Sequence, residues 1–337
     1  MTDKAGESRR EFLKSCVAGA VVAGVGGLSP MAAAADQGSS AKSKVVIARD
    51  AQLYGTSSTP DAARVQKLLD RAMQTFYGSN DPVAPWKKIV RPGEVVGLKV
   101  NMLGGPGLST NKVLAEAICE RLKQAGVKAS DIVIWDRDNE GLERAGYRLS
   151  NDGNRERIVS TEDKSAGYEE NASVYGSVNT RLSKLLTRTC QCMINLPILK
   201  DHEGAGVTLA MKNMYGVIHN PQKMHRNNCC PYVADLNMLP EIKEKFRLVI
   251  CDAMTGCYEG GPDFNPRYAW KYNGLMVATD RVALDYTGWQ IIARKRAEMK
   301  IKTLEEAGRP PKYIAVAADA QHGLGTNDPA RIAVLEV

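Results

Sequence analysis

The sequence predicts an α/β protein built on an open, mostly parallel sheet with helices on both faces, one large domain with a surface excursion. Apolar runs such as "SKVVIARD", "EVVGLKVNM" and "DIVIWDRD" read as buried strands. Segments of helical periodicity lie between them, "DAARVQKLLDRAMQTFYG" and "KVLAEAICERLKQAG", and strands alternating with such helices build parallel βαβ units. Polar clusters fall just past the strand ends, where open α/β sheets hold their ligands.

The remaining elements follow in order. From about residue 139 to 180 the pattern weakens into polar, turn-rich sequence, which is the surface excursion. A helix over "RLSKLLTRT" and a strand over "CQCMINLPIL" come next. "VTLAMKNMYGVI" reads as a helix that sets Thr208 and Lys212 one turn apart on one face. "RLVICDAM" and "GLMVATD" are two further strands, and "RVALDYTGWQIIARKRAEM" is a long helix capped by Asp280. "PPKYIAVAADA" is a short helix and "RIAVLEV" a closing strand.

Residues 1–35 stand apart as an address. "SRREFLK" carries Arg9 and Arg10, "VAGAVVAGVGGL" is a short, glycine-rich apolar core, and "MAAAADQ" offers a small-residue cleavage site after Ala34 or Ala35. That is the order of a twin-arginine export signal, and its apolar run is shorter than the roughly 20 residues a span needs. The twin-arginine translocase is therefore an expected partner and the periplasm the expected location, with no stable membrane anchor. Because the route moves folded proteins, a cofactor loaded before export is expected too. Residues 36–43 read as a linker and 44–337 as a single α/β domain.

The signal carries four basic and three acidic residues, so the formal charge of +7 falls to +6 on its removal. No basic tract with interleaved aromatics occurs, which argues against nucleic acid; the surplus suits a small anionic ligand. Cys16 leaves with the signal, and seven cysteines stay. No C-x-x-C occurs among them, against a ferredoxin module or zinc ribbon. Cys251 and Cys257 are close enough in sequence to close a small disulfide loop, and Cys119 sits in an apolar helical pattern as core.

Four clusters carry potential chemistry. Ser109, Thr110 and Asn111 open a helix, whose free N–H groups suit a carboxylate or phosphate; the same residue types also cap helices, and both readings stand. Asp136 and Asp138 end a strand, as a base, a metal ligand or a cap. Asp252 ends another, before a glycine-rich loop. The densest stretch is "KDHEGAGVTLAMKNMYGVIHNPQKMHRNNCC", with Lys200, Lys212, His202, His219, His225, Cys229 and Cys230. Imidazole and thiolate are ligands for zinc, nickel, copper or iron, although this spacing matches no closed zinc motif.

"INLPILKDHEGAGVTLAMKNMYGVI", "KMHR", "CDAMTGCYEGGP" and "ATDRVALD", with "VGLKVNMLGGPGLSTNKVLAEAICERLKQAG", resemble the family called domain of unknown function 362, from about Glu94 to Trp289. Members of that family are often fused to ferredoxin modules, which this chain lacks. The chain is also distantly similar to the N-terminal domain of nickel-pincer lactate racemases. There a glycine-rich segment separates a histidine from a lysine that carries the cofactor through a thioamide, and histidines act as acid/base or nickel ligand. His202 and Lys212 have a comparable separation, while "GLSTNK" stands where those enzymes have D-x-T-R-P.

The resulting expectation is an exported cofactor- or metal-dependent enzyme acting on a small anionic substrate by proton transfer or redox chemistry. Its catalytic residues would be His202, Lys212 and Lys200. Ser109, Thr110, Asn111, Thr208, Asn213 and Asp252 would bind the cofactor, and His225, Cys229 and Cys230 would hold nickel, zinc or iron. One alternative is a non-catalytic periplasmic protein that binds a small anion or metal. Another is a thiol- or iron–sulfur-associated redox protein using Cys229 and Cys230.

Overall fold

The computed structural model describes residues 42–337, so Arg9, Arg10, the expected export signal and nearly all of the expected linker lie outside the described residues. Strand β1 (Ser43–Arg49) leads into α1 (Ala62–Tyr77) and α2 (Ala84–Ile89). A βαβ unit follows, of β2 (Val96–Lys99), α3 (Lys112–Gln124) and β3 (Ile132–Asp136). After it come α4 (Asn139–Arg144), β4 (Arg157–Ser160) and a hairpin of β5 (Ser173–Tyr175) and β6 (Val178–Thr180). The second half runs through β7 (Cys192–Asn195), β8 (Ile198–His202), β9 (Gly206–Thr208), α5 (Tyr232–Met238) and α6 (Pro240–Lys243). It ends with β10 (Phe246–Cys257), β11 (Ala269–Ala278), α7 (Arg281–Glu298), α8 (Tyr313–Ala317) and β12 (Ile332–Glu336).

The sheet order is β12-β1-β11-β10-β7-β2-β3-β4. Its neighbours are parallel except at β11, which runs antiparallel to both β1 and β10. Successive strand residues point to opposite faces, and both faces are apolar. Val46, Leu98, Ile134 and Ile194 pack on one side with Leu68, Leu69 and Ile118 from α1 and α3. Ile47, Val133, Trp135 and Val249 pack on the other with Val233, Leu284 and Ile292 from α5 and α7. Helices on both faces follow from this pattern, as expected. No helix among the described residues is long and apolar enough to cross a membrane.

The helix starts obey local chemistry. Asp61, Asn111, Asp138 and Asp280 each accept a backbone N–H in the first turn of α1, α3, α4 and α7. Asp280 accepts two, from Val282 and Ala283 at 2.9 Å each.

Several expectations are corrected. The polar stretch 139–180 is more than an excursion, because β4 extends the sheet beyond β3 and buries Val159 and Ser160. "RLSKLLTRT" forms only a π-helical turn at Leu185–Thr189. "CQCMINLPIL" is two strands broken before β8, and it places Cys190 and Cys192 in the cores of opposite faces. Cys251 and Cys257 lie six positions apart on the continuous strand β10, about 20 Å along an extended chain. A disulfide cannot span that distance, and all seven cysteines among the described residues are free.

The largest departure concerns "VTLAMKNMYGVI". Its first part is β9, hairpinned onto β8 with Lys200 opposite Thr208, and only Lys212–Val217 is helical, as 3-10 turns. Gly206 holds φ +81 at the hairpin, a conformation glycine adopts without strain. The N–H groups of Ala210 and Met211 then donate to Asp285 on α7, at 2.7 and 3.1 Å, outside any helical ladder. A distant carboxylate outcompetes the local period.

Asp285 therefore clamps the segment that leads into Lys212. Asp285→Ala leaves two buried N–H groups without acceptors and is expected to cost about 2–5 kcal/mol, with Asp285→Asn intermediate because one acceptor survives. Urea unfolding checks this; a loss below about 1 kcal/mol for the alanine variant would show that the clamp contributes nothing.

Candidate active site

Three neighbouring parallel strands end together in polar residues: Lys99 on β2, Asp136 on β3 and Asn195 on β7. Lys99 is wholly buried, and its ammonium donates to Asp136 Oδ1 at 2.7 Å and to the Val100 carbonyl at 2.6 Å. Asp136 Oδ2 also accepts the Met102 N–H at 2.8 Å. Gly216 passes directly over this pair; a Cβ there would lie 2.7 Å from both Lys99 Nζ and Asp136 Oδ1.

An amide chain extends from the pair. Asn101 Nδ2 donates to Asn213 Oδ1 at 2.9 Å, Asn213 Nδ2 to Asn195 Oδ1 at 2.7 Å, and Asn195 Nδ2 to the Ala210 carbonyl at 2.8 Å. Asn213 is thus tied to the strand ends and joins the 3-10 turn that starts at Lys212 to the sheet.

The β8–β9 hairpin forms the next wall. Beyond the end of β7, β8 takes its place beside β10. Lys200 and His202 lie two apart on one face, with Thr208 paired opposite Lys200. The 3-10 turn then supplies Lys212 and Tyr215, and a further turn over Pro221–Met224 delivers His225. The His202 and His225 rings stack with centroids 5.5 Å apart. Lys212 Nζ lies 3.2 Å from His225 Nε2 and 3.8 Å above the Tyr215 ring centroid. His202, Thr208, Lys212, Tyr215 and His225 line a cavity of about 150 Å³.

Hydrogen bonds define the imidazole tautomers. His202 Nδ1 accepts two backbone N–H groups, from Gly204 at 2.9 Å and Ala205 at 3.2 Å, so its proton sits on Nε2. His225 Nδ1 faces the Pro221 carbonyl at 2.9 Å and must donate to it, which leaves Nε2 as the acceptor for Lys212. Burial, with Lys212 nearby, pushes the His202 pKa down to about 2 and lowers that of His225. Burial, aided by Lys200, brings Lys212 down to about 8. Lys200 also falls to about 8, chiefly through burial. It does not line the cavity and is bonded to Asn101 Oδ1 at 3.1 Å and the Pro262 carbonyl at 3.0 Å.

On the cavity wall one polar atom is orphaned. Thr208 Oγ1 is buried and has no hydrogen-bond partner. His202 Nε2–H and the Lys212 ammonium add donors to the same wall, whose carboxylates, Asp136 and Asp138, are already bonded to Lys99 and to the Gly141 N–H.

The predicted site residues divide between two places. His202, Thr208, Lys212, Asn213 and His225 share this cavity. Ser109, Asn111 and Asp252 line a second one of about 400 Å³ with Tyr54, Trp270 and Lys271. There Asn111 caps α3, and Asp252 accepts the N–H groups of Asn111 and Met254 at 2.7 and 3.0 Å. Burial raises the Asp252 pKa to about 6. Thr110 accepts the Asn101 N–H at 2.8 Å and donates to the Leu196 carbonyl at 2.7 Å, a structural staple. Cys229 and Cys230 are buried, and burial raises both thiol pKa values. His219 lies apart, its Nδ1 accepting the Arg181 N–H at 3.0 Å.

His225, Cys229 and Cys230 do not assemble into a ligand set. Among the described residues no three His, Cys, Asp or Glu side chains gather to hold an ion. The His225 lone pair points at an ammonium and the His202 Nδ1 lone pair is occupied. This donor set suits an anion and does not fit a metal cation.

Lys99, Asn101, Asn195 and Tyr215 were missed as site residues by sequence reasoning. Lys99 carried a usable signal: a lysine inside the unbroken apolar run "VVGLKV" is forced indoors and must find a counter-charge.

A family model described as Domain of unknown function (DUF362) matches residues 96–290, and the chain belongs to that family. No curated protein matches the sequence. A Thermotoga maritima protein of known crystal structure is similar at 9% identity and a TM-score of 0.37, over 72% of this chain and 59% of that one. The chain thus covers 59% of the length of that protein.

The buried ion pair is open to test. Asp136→Ala strands the Lys99 ammonium and should destabilise the fold by about 3–5 kcal/mol. Adding Lys99→Met should restore a large part of that loss in guanidinium unfolding. A double variant no more stable than the single one would show that Lys99 does not depend on the carboxylate.

Proposed function

We propose that this family member is an enzyme that binds a small carboxylate in the Lys212 cavity and exchanges a proton with it. The observation that carries this reading is the orphaned Thr208 hydroxyl. A buried hydroxyl without a partner costs about 1–3 kcal/mol, and this one stands beside two further donors with no carboxylate bonded to them. An anion supplies the missing acceptors.

Size supports a small substrate. The cavity, about 150 Å³, is well below the roughly 300–1,000 Å³ of ordinary ligand pockets, which suits a small acid. The Lys212 ammonium, Thr208 hydroxyl and His202 Nε2–H hold the carboxylate or an adjacent oxygen. His225 is the base, because its Nε2 is unprotonated and faces the Lys212 ammonium while its Nδ1–H is anchored to Pro221. His202 is a neutral donor in this scheme, since protonating it at Nδ1 would break two backbone bonds. Arg9 and Arg10 support export through the twin-arginine translocase and thus a periplasmic location for this activity.

Calorimetric titration with acetate, lactate, pyruvate, sulfate and phosphate tests the site, and loss of substrate C–H signals in deuterated water tests the proton transfer. Small carboxylates should bind, about tenfold more weakly in Thr208→Val, as expected for one hydrogen bond to a charged group, and negligibly in Lys212→Gln. Affinity should fall as pH rises through about 8, where Lys212 loses its charge. Unchanged binding in Lys212→Gln would sink the reading, and binding without exchange would leave only a carboxylate-binding protein.

A further inference from the structure

We propose that Lys212 is a nucleophile that condenses with the carbonyl group of a small oxo acid to form a covalent imine; this rests on the carboxylate site proposed above. The basis is the contrast among the three buried lysines. Lys99 is neutralised by Asp136 at 2.7 Å. Lys200 spends hydrogen bonds on Asn101 and Pro262 and does not line the cavity. Lys212 has no carboxylate partner among the described residues, lines the cavity, and meets only a histidine lone pair and the face of Tyr215. An amine desolvated in this way and set near another cationic group is activated as a nucleophile.

The neighbouring groups supply the proton traffic. His225 Nε2, 3.2 Å from Lys212 Nζ, takes one proton from the ammonium. The freed nitrogen lone pair attacks the carbonyl carbon, and the C=O π pair moves onto oxygen to give a carbinolamine once a nitrogen proton has shifted there. His225 returns its proton to that hydroxyl, the C–O bond breaks, and water leaves as the C=N bond forms. Of the three ammonium protons, two depart in the water and one stays on the iminium nitrogen. No oxidant or reductant is consumed. Thr208 and His202 Nε2–H hold the carboxylate of the oxo acid while this happens.

Burial lowers Lys212 from 10.5 to about 8, which corresponds to roughly 300-fold more neutral amine at pH 7 than in an ordinary lysine. The test treats the full chain with pyruvate and borohydride, which reduces an imine to a stable secondary amine, and maps the adduct by peptide mass spectrometry. Lactate, which has no carbonyl, is titrated in parallel. The expected result is an adduct at Lys212 at least about tenfold above that at any exposed lysine, a conservative share of the amine advantage. Its rate should rise with pH and level off near 8, and the adduct should be absent in Lys212→Arg. Binding of pyruvate and lactate with no preferential adduct at Lys212 overturns the imine and leaves the carboxylate site standing. Binding of neither acid overturns both.

Discussion

An ammonium group cannot be left unpaired in an apolar interior without a cost of several kcal/mol, and Lys99 sits at the end of a strand that is apolar on both sides. Its bond to Asp136 therefore joins the ends of β2 and β3, and that junction orders what lies above it. Gly216 fits over the pair because it has no side chain. Asn213, three residues earlier, reaches down to Asn101 and Asn195. The turn that carries Lys212 is thereby referenced to three strand ends at once.

The hairpin that faces this turn is held from behind. Asp201 lies between Lys200 and His202, so its side chain leaves by the opposite face. It meets Arg309 at 2.6 Å and the Gly261 N–H at 2.8 Å. Arg309 continues to Glu259 at 2.6 Å, and Glu259 to Arg296 on α7 at 2.5 Å. Charges paired on the outer face leave the inner face free to carry groups that are not paired. Rigid support on one side and unsatisfied polarity on the other is the arrangement expected of a binding site held by supporting hydrogen bonds.

In and around the cavity the charges are poised rather than settled. Burial disfavours the charged forms of Lys212, Lys200, His202 and His225 alike. The two histidines respond by staying neutral, with tautomers dictated by backbone partners. That makes one ring a donor and the other an acceptor, a division of labour invisible in the bare count of histidines. The thiols of Cys229 and Cys230 belong to the packing around this site, since burial raises their pKa values and leaves little thiolate.

Periodicity, caps and the apolar runs were enough to read the α/β class, the βαβ unit of β2, α3 and β3, and the capping role of Asp280, because those features depend on neighbours in sequence; for Asn111, capping and anion binding both stood until the structure showed the cap. The stretch from Lys200 to Cys230 also stood out as the candidate segment, from its density of histidine and lysine. Its geometry was not. Whether "VTLAMKN" became helix or hairpin was decided by Asp285, more than seventy positions away in the chain. Lys99, Asn101 and Asn195 joined the site only because parallel strands place their ends side by side. The split of Ser109, Asn111 and Asp252 into a separate cavity likewise follows from β8 entering the sheet between the two groups. Local chemistry is written along the chain; convergence of charges and the tautomer of each imidazole depend on contacts that exist only once the sheet has formed.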